Sequence, residues 1–359
     1  MNMVFGWRKK KPAEIVKKLS KHLETLTKAP SSRQVEHAHA SIIQTLQDLK
    51  ALLVGSDGKS TSTSKRKKRK IEARPEDRQI IAEHVVNMNV FIVLITQMHK
   101  MPFETKKDIA FLFNFLFHHE KIFQEYVLGN PSIIWTIVSG YRPENKAVSM
   151  ACGKMLEECI KNSKVCHLIL TSNELWRFLD TYIVLKDFET QSSAFDVLKG
   201  LMTLHPSVSA EFFEQRYEKF FSSFNDLLRS DEYVVRRHAT KVMCRTLTIP
   251  EHFDTMMRYV SSKSHLKIWM NLLRDDSDQV QLDAFHVFKL FVANPQMPKD
   301  VDHTLTTNGK RLISFLNRFH DKSHSVDEDF FAEKSMIIDH IKKMSSSPFG
   351  DLTGLHNNS

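Results

Sequence analysis

Few residue patterns in the chain have the spacing that catalysis or ligand capture requires. Gly58-Lys59-Ser60 matches the end of a phosphate-cradling loop, but that loop needs its first glycine at position 53, which is Leu53. His118 and His119 are adjacent, so on a helix they diverge by about 100° rather than converging on a metal. Cys152 and Cys159 share a helix face but stand two turns apart, roughly 10 Å, too far to bridge or to share a zinc ion. Asp275, Asp276 and Asp278 suggest a calcium loop. If Asp276 begins it, the required glycine and glutamate positions hold Gln281 and Val287. No nucleophile–base pair, metal set or phosphate loop assembles. The expectation is a protein without catalytic residues, cofactor or metal, with Cys152, Cys159, Cys166 and Cys244 as packing residues.

Two constellations suit binding. Tyr233, Arg237 and Lys241 recur at i, i+4 and i+8 and form one helical stripe, with Arg236 beside it. Like charges at that spacing repel by a few tenths of a kcal/mol, which an acidic partner reverses; a solvated face with snorkelling side chains accounts for them equally. The second spans His265 to Asp275. Leu266, Trp269, Met270 and Leu273 make the apolar stripe, and Lys267 flanks it at i, i+3 from Met270. An adaptable methionine beside a cation suits a groove for an aromatic-acidic peptide, although core plus an edge lysine explains the same pattern.

The elements that must position these residues read as helices. The 359 residues contain 10 Gly and 11 Pro, about 6% against the roughly 12% of average chains, which disfavours a turn-rich sandwich or barrel. Apolar residues make up 42%, ample for a large core. Ile15, Leu19, Leu23 and Leu26, then Ile42, Ile43, Leu46, Leu49 and Leu53, mark two helices over residues 12–53, parted at Pro30-Ser31-Ser32. From Ile109, Ala151, Ala194, Ala239 and Ala284 five similar segments begin, each reading as the start of a buried helix. Their spacings of 42, 43, 45 and 45 fall in the 40–47 residue range of HEAT and armadillo repeats. The prediction is an all-α helical-repeat solenoid, a curved rod with a concave face. Residues 1–54 are its first helices, 55–75 a basic flexible insertion, 76–344 the repeats and 345–359 a disordered tail. A last helix, Glu328 to Met344, caps the array with Phe331, Ile338 and Ile341 on one face.

The net charge of +9 resides in two runs, Arg8–Lys11 and Lys65–Lys70; without them the formal charge is −1. A basic groove built into the fold is therefore not expected. Lys65–Lys70 reads as a nuclear-import signal, a contact for nucleic acid or anionic lipid, or a self-repelling linker, and no interleaved aromatic supports base stacking. The longest apolar run, Val90–Thr96, falls short of the ~20 residues of a membrane span, so no membrane partner is expected. Four cysteines and no apolar leader suggest a reducing, cytoplasmic setting, with nuclear entry if the basic run serves as a signal.

Met270–Asp275 (MNLLRD), Ala284–Lys289 (AFHVFK), Phe291–Pro295 (FVANP), Ser209–Gln215 (SAEFFEQ), Phe5-Gly6 and Pro12–Val16 (PAEIV) together resemble the calcium-binding protein thirty-nine family, also called Mo twenty-five. The resemblance covers most of the chain outside the basic insertion and the tail. It implies a non-enzymatic helical-repeat scaffold, a monomer within a heterotrimer, that binds the Ste-twenty-related adaptor pseudokinase and a liver kinase B-type kinase and activates Ste-twenty-type kinases. It implies that a Trp-Glu-Phe tail of the partner enters a pocket at Lys267, Met270 and Arg311. A family lysine falls on Thr307, and the residue before Met270 is Trp269, positioned to fill part of the pocket. The concave kinase-binding face corresponds to Tyr233, Arg237 and Lys241, with Arg236 alongside. Phe253 matches a contact to the third kinase, whose neighbouring arginine is here Pro250. A rival reading is an armadillo-like nuclear or nucleic-acid adaptor acting through Lys65–Lys70.

Overall fold

The computed structural model describes residues 11–28, 31–54, 74–141, 144–321 and 327–346. Phe5-Gly6, the run Lys65–Lys70 and the tail from 347 onward lie outside the described residues. All regular elements among the described residues are helical. The chain divides into two compact units, Met1–His205 and Pro206–Ser359.

The first unit holds α1 (Pro12–Thr27), α2 (Ser32–Val54), α3 (Pro75–Asn87), α4 (Val90–Gln97), α5 (Phe103–His119), α6 (Lys121–Gly129), α7 (Pro131–Val138), α8 (Lys146–Cys159), α9 (Ser163–Thr171), α10 (Glu174–Arg177) and α11 (Phe188–Thr203). The second holds α12 (Pro206–Leu228), α13 (Tyr233–Leu247), α14 (Phe253–Val260), α15 (Lys263–Leu272), α16 (Asp278–Val292), α17 (Lys299–Thr307), α18 (Gly309–Arg318) and α19 (Glu328–Ser346).

Beyond α1 and α2 these helices fall into sets of three, and α12 supplies two of its set because its backbone leaves the helical region at Arg216 (φ −127°, ψ 20°). The third helices of the first five sets are α5, α8, α11, α13 and α16, whose first residues are 103, 146, 188, 233 and 278, so successive starts lie 43, 42, 45 and 45 residues apart. The segments at Ile109, Ala151, Ala194, Ala239 and Ala284 lie five or six residues inside these helices rather than at their starts. The apolar stripe marks where a helix is buried, whereas its first turn is solvated. In unit one α8 packs between α5 and α11; in unit two α16 packs on α13 and α19. Within each unit a repeat thus covers its apolar stripe with the next, which is the economy of a helical-repeat solenoid.

Polar side chains cap two of these starts, those of α8 and α11. Asn145 accepts from the Val148 N–H at 3.2 Å, and Asp187 accepts from the Thr190 N–H at 2.9 Å. The last helix buries Phe330, Ile337, Ile338 and Ile341. Phe331, expected on that face, is only half-buried, because Phe330 is the ring that packs, 4.9 Å from Phe285 between centroids. Cys152, Cys159 and Cys166 are buried and Cys244 half-buried, none of them in a disulfide among the described residues.

Candidate functional site

The expected peptide face centres on α15, and its orientation is set by a chain of buried polar groups. Ser262 caps the helix, its Oγ accepting from the His265 N–H at 3.5 Å. Leu266, Ile268, Trp269, Leu272 and Leu273 are buried. The Trp269 indole Nε1 donates to the Tyr259 hydroxyl at 3.0 Å, and that hydroxyl donates to Asn225 Oδ1 at 2.9 Å. His265 stacks on the Tyr259 ring at 4.1 Å and sits 3.0 Å from the Tyr259 carbonyl oxygen through Nδ1. Burial lowers the pKa of His265, so the neutral ring is favoured there. With Trp269 turned inward, Lys267 lies about 200° away around the helix and faces solvent, while Met270 is half-exposed.

Trp269 therefore departs from its expected role. At 0% exposure it is a core residue bridging α15 to α14 and α12, and no part of it lines an open pocket. Thr307 ends α17 and Arg311 lies in the first turn of α18; both are exposed, and α17 packs on α15. Lys267 also lines a cavity of about 580 Å³ together with Arg229, Arg236, Asn271, Arg274 and Asp275. That cavity brings Lys267 and Arg236 together, but Met270, Thr307 and Arg311 are not among its lining residues.

On α13, Tyr233 begins the helix 45% exposed. Its hydroxyl is 3.4 Å from Ser277 Oγ and accepts from Arg237 Nη1 at 3.1 Å; these hydrogen bonds lower its pKa. Arg237 is half-exposed and Lys241 exposed, and neither reaches a carboxylate within ion-pair distance among the described residues. Asp283 of α16 feels both cations: burial pushes its carboxyl up, while His286, Lys241, Arg237 and Arg245 pull it down.

Arg236, expected alongside Arg237 on the concave kinase-binding face, is instead drawn inward. Its Nε donates to Asp275 Oδ2 at 2.5 Å and its Nη1 to the carbonyls of Ser230 at 2.8 Å and Asp231 at 3.3 Å. The two side chains are only 19% and 6% exposed, so this is an internal clamp between α13 and the turn after α15. The same clamp uses Asp275, which caps Ser277 at 2.9 Å and has its own carbonyl held by Gln281 at 2.6 Å.

Phe253, 57% exposed, opens α14 just after the short turn Pro250–His252. The fully buried His252 fixes that turn, with Nδ1 2.8 Å from the Thr246 carbonyl oxygen and Nε2 2.8 Å from Ser209 Oγ. The anchoring of His252 leaves Phe253 standing out from the surface.

Sequence reasoning missed an apolar groove of about 670 Å³ in the first unit, between α5 and α8, lined by Phe103, Lys107, Phe111, Lys146, Met150 and Glu189. Lys107 Nζ lies 4.2 Å from the Phe103 ring centroid, and Lys146 bridges Asp187 and Glu189 at 3.2 and 3.0 Å. A signal was present: Phe103, Phe188 and Tyr233 are aromatic first residues of repeat helices, all exposed by 45% or more.

The family model described as Mo25-like matches residues 3–345. The mouse protein named calcium-binding protein 39-like is 32% identical over 348 residues, which is 96% of this chain and 98% of that one. MO25-like protein 2 of Caenorhabditis elegans is 33% identical over 350 residues, 95% and 98% of the two chains. A solved designed armadillo repeat protein, in complex with the peptide (KR)4, is similar at a TM-score of 0.47 and 11% identity, over 79% of this chain and 100% of that one. With a family model matching nearly end to end, and relatives a third identical across almost their whole length, the chain belongs to the Mo25-like family.

Proposed function

We propose that the chain is a non-catalytic scaffold for a Ste-twenty-type kinase or pseudokinase, holding the kinase fold in its closed, active arrangement. The observation that carries this reading is the division of labour on α13 to α15. Buried Trp269, Tyr259, Arg236 and Asp275 fix the helices, leaving Lys267, Met270, Arg237 and Lys241 on their outer faces. Such a surface offers apolar contact plus cations that have no carboxylate partner among the described residues, which suits recognition of an aromatic-acidic peptide and an acidic protein face. Lys267, Met270 and Arg311 would take a Trp-Glu-Phe tail, with Thr307 lacking the charge that a lysine would add there. Tyr233, Arg237, Lys241 and Phe253 would meet the kinase fold.

The mechanism is a population shift. A surface that binds the closed conformer better than the open one favours it by the ratio of the two affinities, and phosphoryl transfer stays with the partner. Two anchors raise effective concentration without new chemistry. The test is the activity of a purified Ste-twenty-type kinase titrated with this chain. A saturable rise, lost in the Tyr233→Ala/Arg237→Ala variant, supports the reading; kinase activity indifferent to the chain refutes it. The nuclear-adaptor reading rests on Lys65–Lys70 and finds no added support in the described residues. Deleting residues 55–74 separates the two, because kinase activation survives that deletion only if the scaffold reading holds.

A further inference from the structure

The groove of about 670 Å³ between α5 and α8 lies wholly within the first unit and contributes nothing to the peptide or kinase contacts proposed above. Two helical stripes form its walls. The α5 stripe runs from Phe103 to Asn114, which at 1.5 Å per residue is about 16 Å, or three turns. The α8 stripe runs from Lys146 through Met150 to Lys154 at i, i+4 and i+8. Ala110, Ala147 and Ala151 line the groove with short side chains that leave room between Phe103, Phe111 and Met150. Phe103 is 55% exposed, and Phe111 and Met150 are half-exposed, so an apolar occupant that covers them is favoured by their release from water.

The charges around this apolar strip are of one prevailing sign. Lys107, Lys146 and Lys154 line it against the single acid Glu189, and Lys146 already holds Glu189 at 3.0 Å. The carboxylates that pair with the other two lysines are Glu104 at 3.1 Å and Glu157 at 2.7 Å. Neither glutamate lines the groove; each stands three residues from its lysine on the same helix. Exposed pairs of that kind are weak, and an ammonium has three protons to donate, so Lys107 and Lys154 keep donors for an incoming carboxylate. The exposed walls leave the groove open to solvent, whereas sites for small ligands enclose 70–90% of the ligand surface. An open apolar strip three turns long with cationic rims matches the apolar face of a helix whose flanks are acidic.

We propose that the groove between α5 and α8 docks a short amphipathic helix of a partner protein, its apolar stripe against Phe103, Phe111 and Met150 and its flanking carboxylates on Lys107 and Lys154. The inference goes beyond the proposed function, because no residue of α13 to α15 takes part in it.

The probe is a phage-displayed peptide library with leucine or phenylalanine fixed at i, i+3, i+4 and i+7 and the other positions random, selected on the full chain. Selected peptides are then labelled and titrated by fluorescence anisotropy. The proposal expects acidic peptides whose affinity falls at least about 10-fold in Phe103→Ala/Met150→Ala and about 5-fold in Lys107→Glu/Lys154→Glu, and also falls as salt is raised. Phe103→Ala alone, at an exposed position, keeps the test valid if the double variant loses its circular dichroism. No enrichment, enrichment of basic peptides, or affinities indifferent to the groove variants overturns the proposal. Peptides that lose affinity in Met270→Ala but not in Phe103→Ala bind at α15 and likewise overturn it, while leaving the proposed function intact. A full chain that sediments as a dimer, and as a monomer in Phe103→Ala, has a second copy over the groove, which also overturns the partner helix.

Discussion

Replacing Arg236 with glutamine separates a structural clamp from a partner contact. The Asp275 carboxylate it neutralises is 6% exposed, and Arg236 itself is 19% exposed. The substitution removes the ionic bond to Asp275 and both bonds to the Ser230 and Asp231 carbonyls, leaving a buried charge unpaired. Losing one partner of a buried pair costs roughly 3–5 kcal/mol, and the residual exposure of Arg236 places this case near 3. With a urea slope of about 2 kcal/mol per molar, the midpoint of the transition falls by about 1.5 M, followed by far-ultraviolet circular dichroism. Adding Asp275→Asn, which keeps an acceptor for the Ser277 N–H while removing the orphaned charge, should make the double variant lose less than the sum of the singles, by about 1–2 kcal/mol. Peptide affinity should be unchanged in the single variant. An unmoved urea midpoint with a weakened partner would refute the clamp and return Arg236 to the binding surface.

Other substitutions probe the remaining claims. Trp269→Ala should cost about 3–5 kcal/mol of stability as a fully buried ring, whereas Met270→Ala, half-exposed, should cost about 1 and instead weaken peptide binding; urea melts and calorimetry distinguish them. Thr307→Lys should strengthen a Trp-Glu-Phe peptide by up to about fivefold, the equivalent of a rim ion pair of about 1 kcal/mol, and no gain would place Thr307 away from the peptide's glutamate. Burial pushes the thiols of Cys166 and Cys244 up to about 12 and raises Cys159 as well, so at pH 8 only about one in ten thousand of the first two is thiolate. Ellman's reagent should therefore label these cysteines on unfolding and not before. For His265, burial holds the folded pKa below the ordinary histidine value of 6.5, so the neutral form is favoured on folding. Its contribution is full above pH 6.5 and is lost as pH falls toward the folded value. In urea titrations the stability advantage of the unaltered chain over His265→Phe should accordingly shrink from pH 7 to pH 5.

The repeat architecture was legible because the apolar stripe of each third helix recurs every 42 to 45 residues whatever the loops do. Helix starts were misread by five or six residues, since caps such as Asp187 and Asn145 are single polar residues in an already polar stretch. The orientation of α15 was not legible. Trp269 and Met270 lie 100° apart on one stripe, and the choice of which turns inward is made by Tyr259 and Asn225, 10 and 44 positions earlier. Arg236 was grouped with Arg237 for the same reason: the partner that withdraws it from the surface, Asp275, is 39 residues away. Local spacing reports which residues share a face, and only the packed neighbours report which way that face looks.

The proposed function stands most directly on the peptide face. Calorimetry of the full chain with a peptide ending in Trp-Glu-Phe, alongside its Trp→Ala counterpart, tests that face. The account predicts saturable binding that disappears with the peptide's tryptophan and weakens in Met270→Ala. Equal binding of both peptides, or binding of neither, would contradict it.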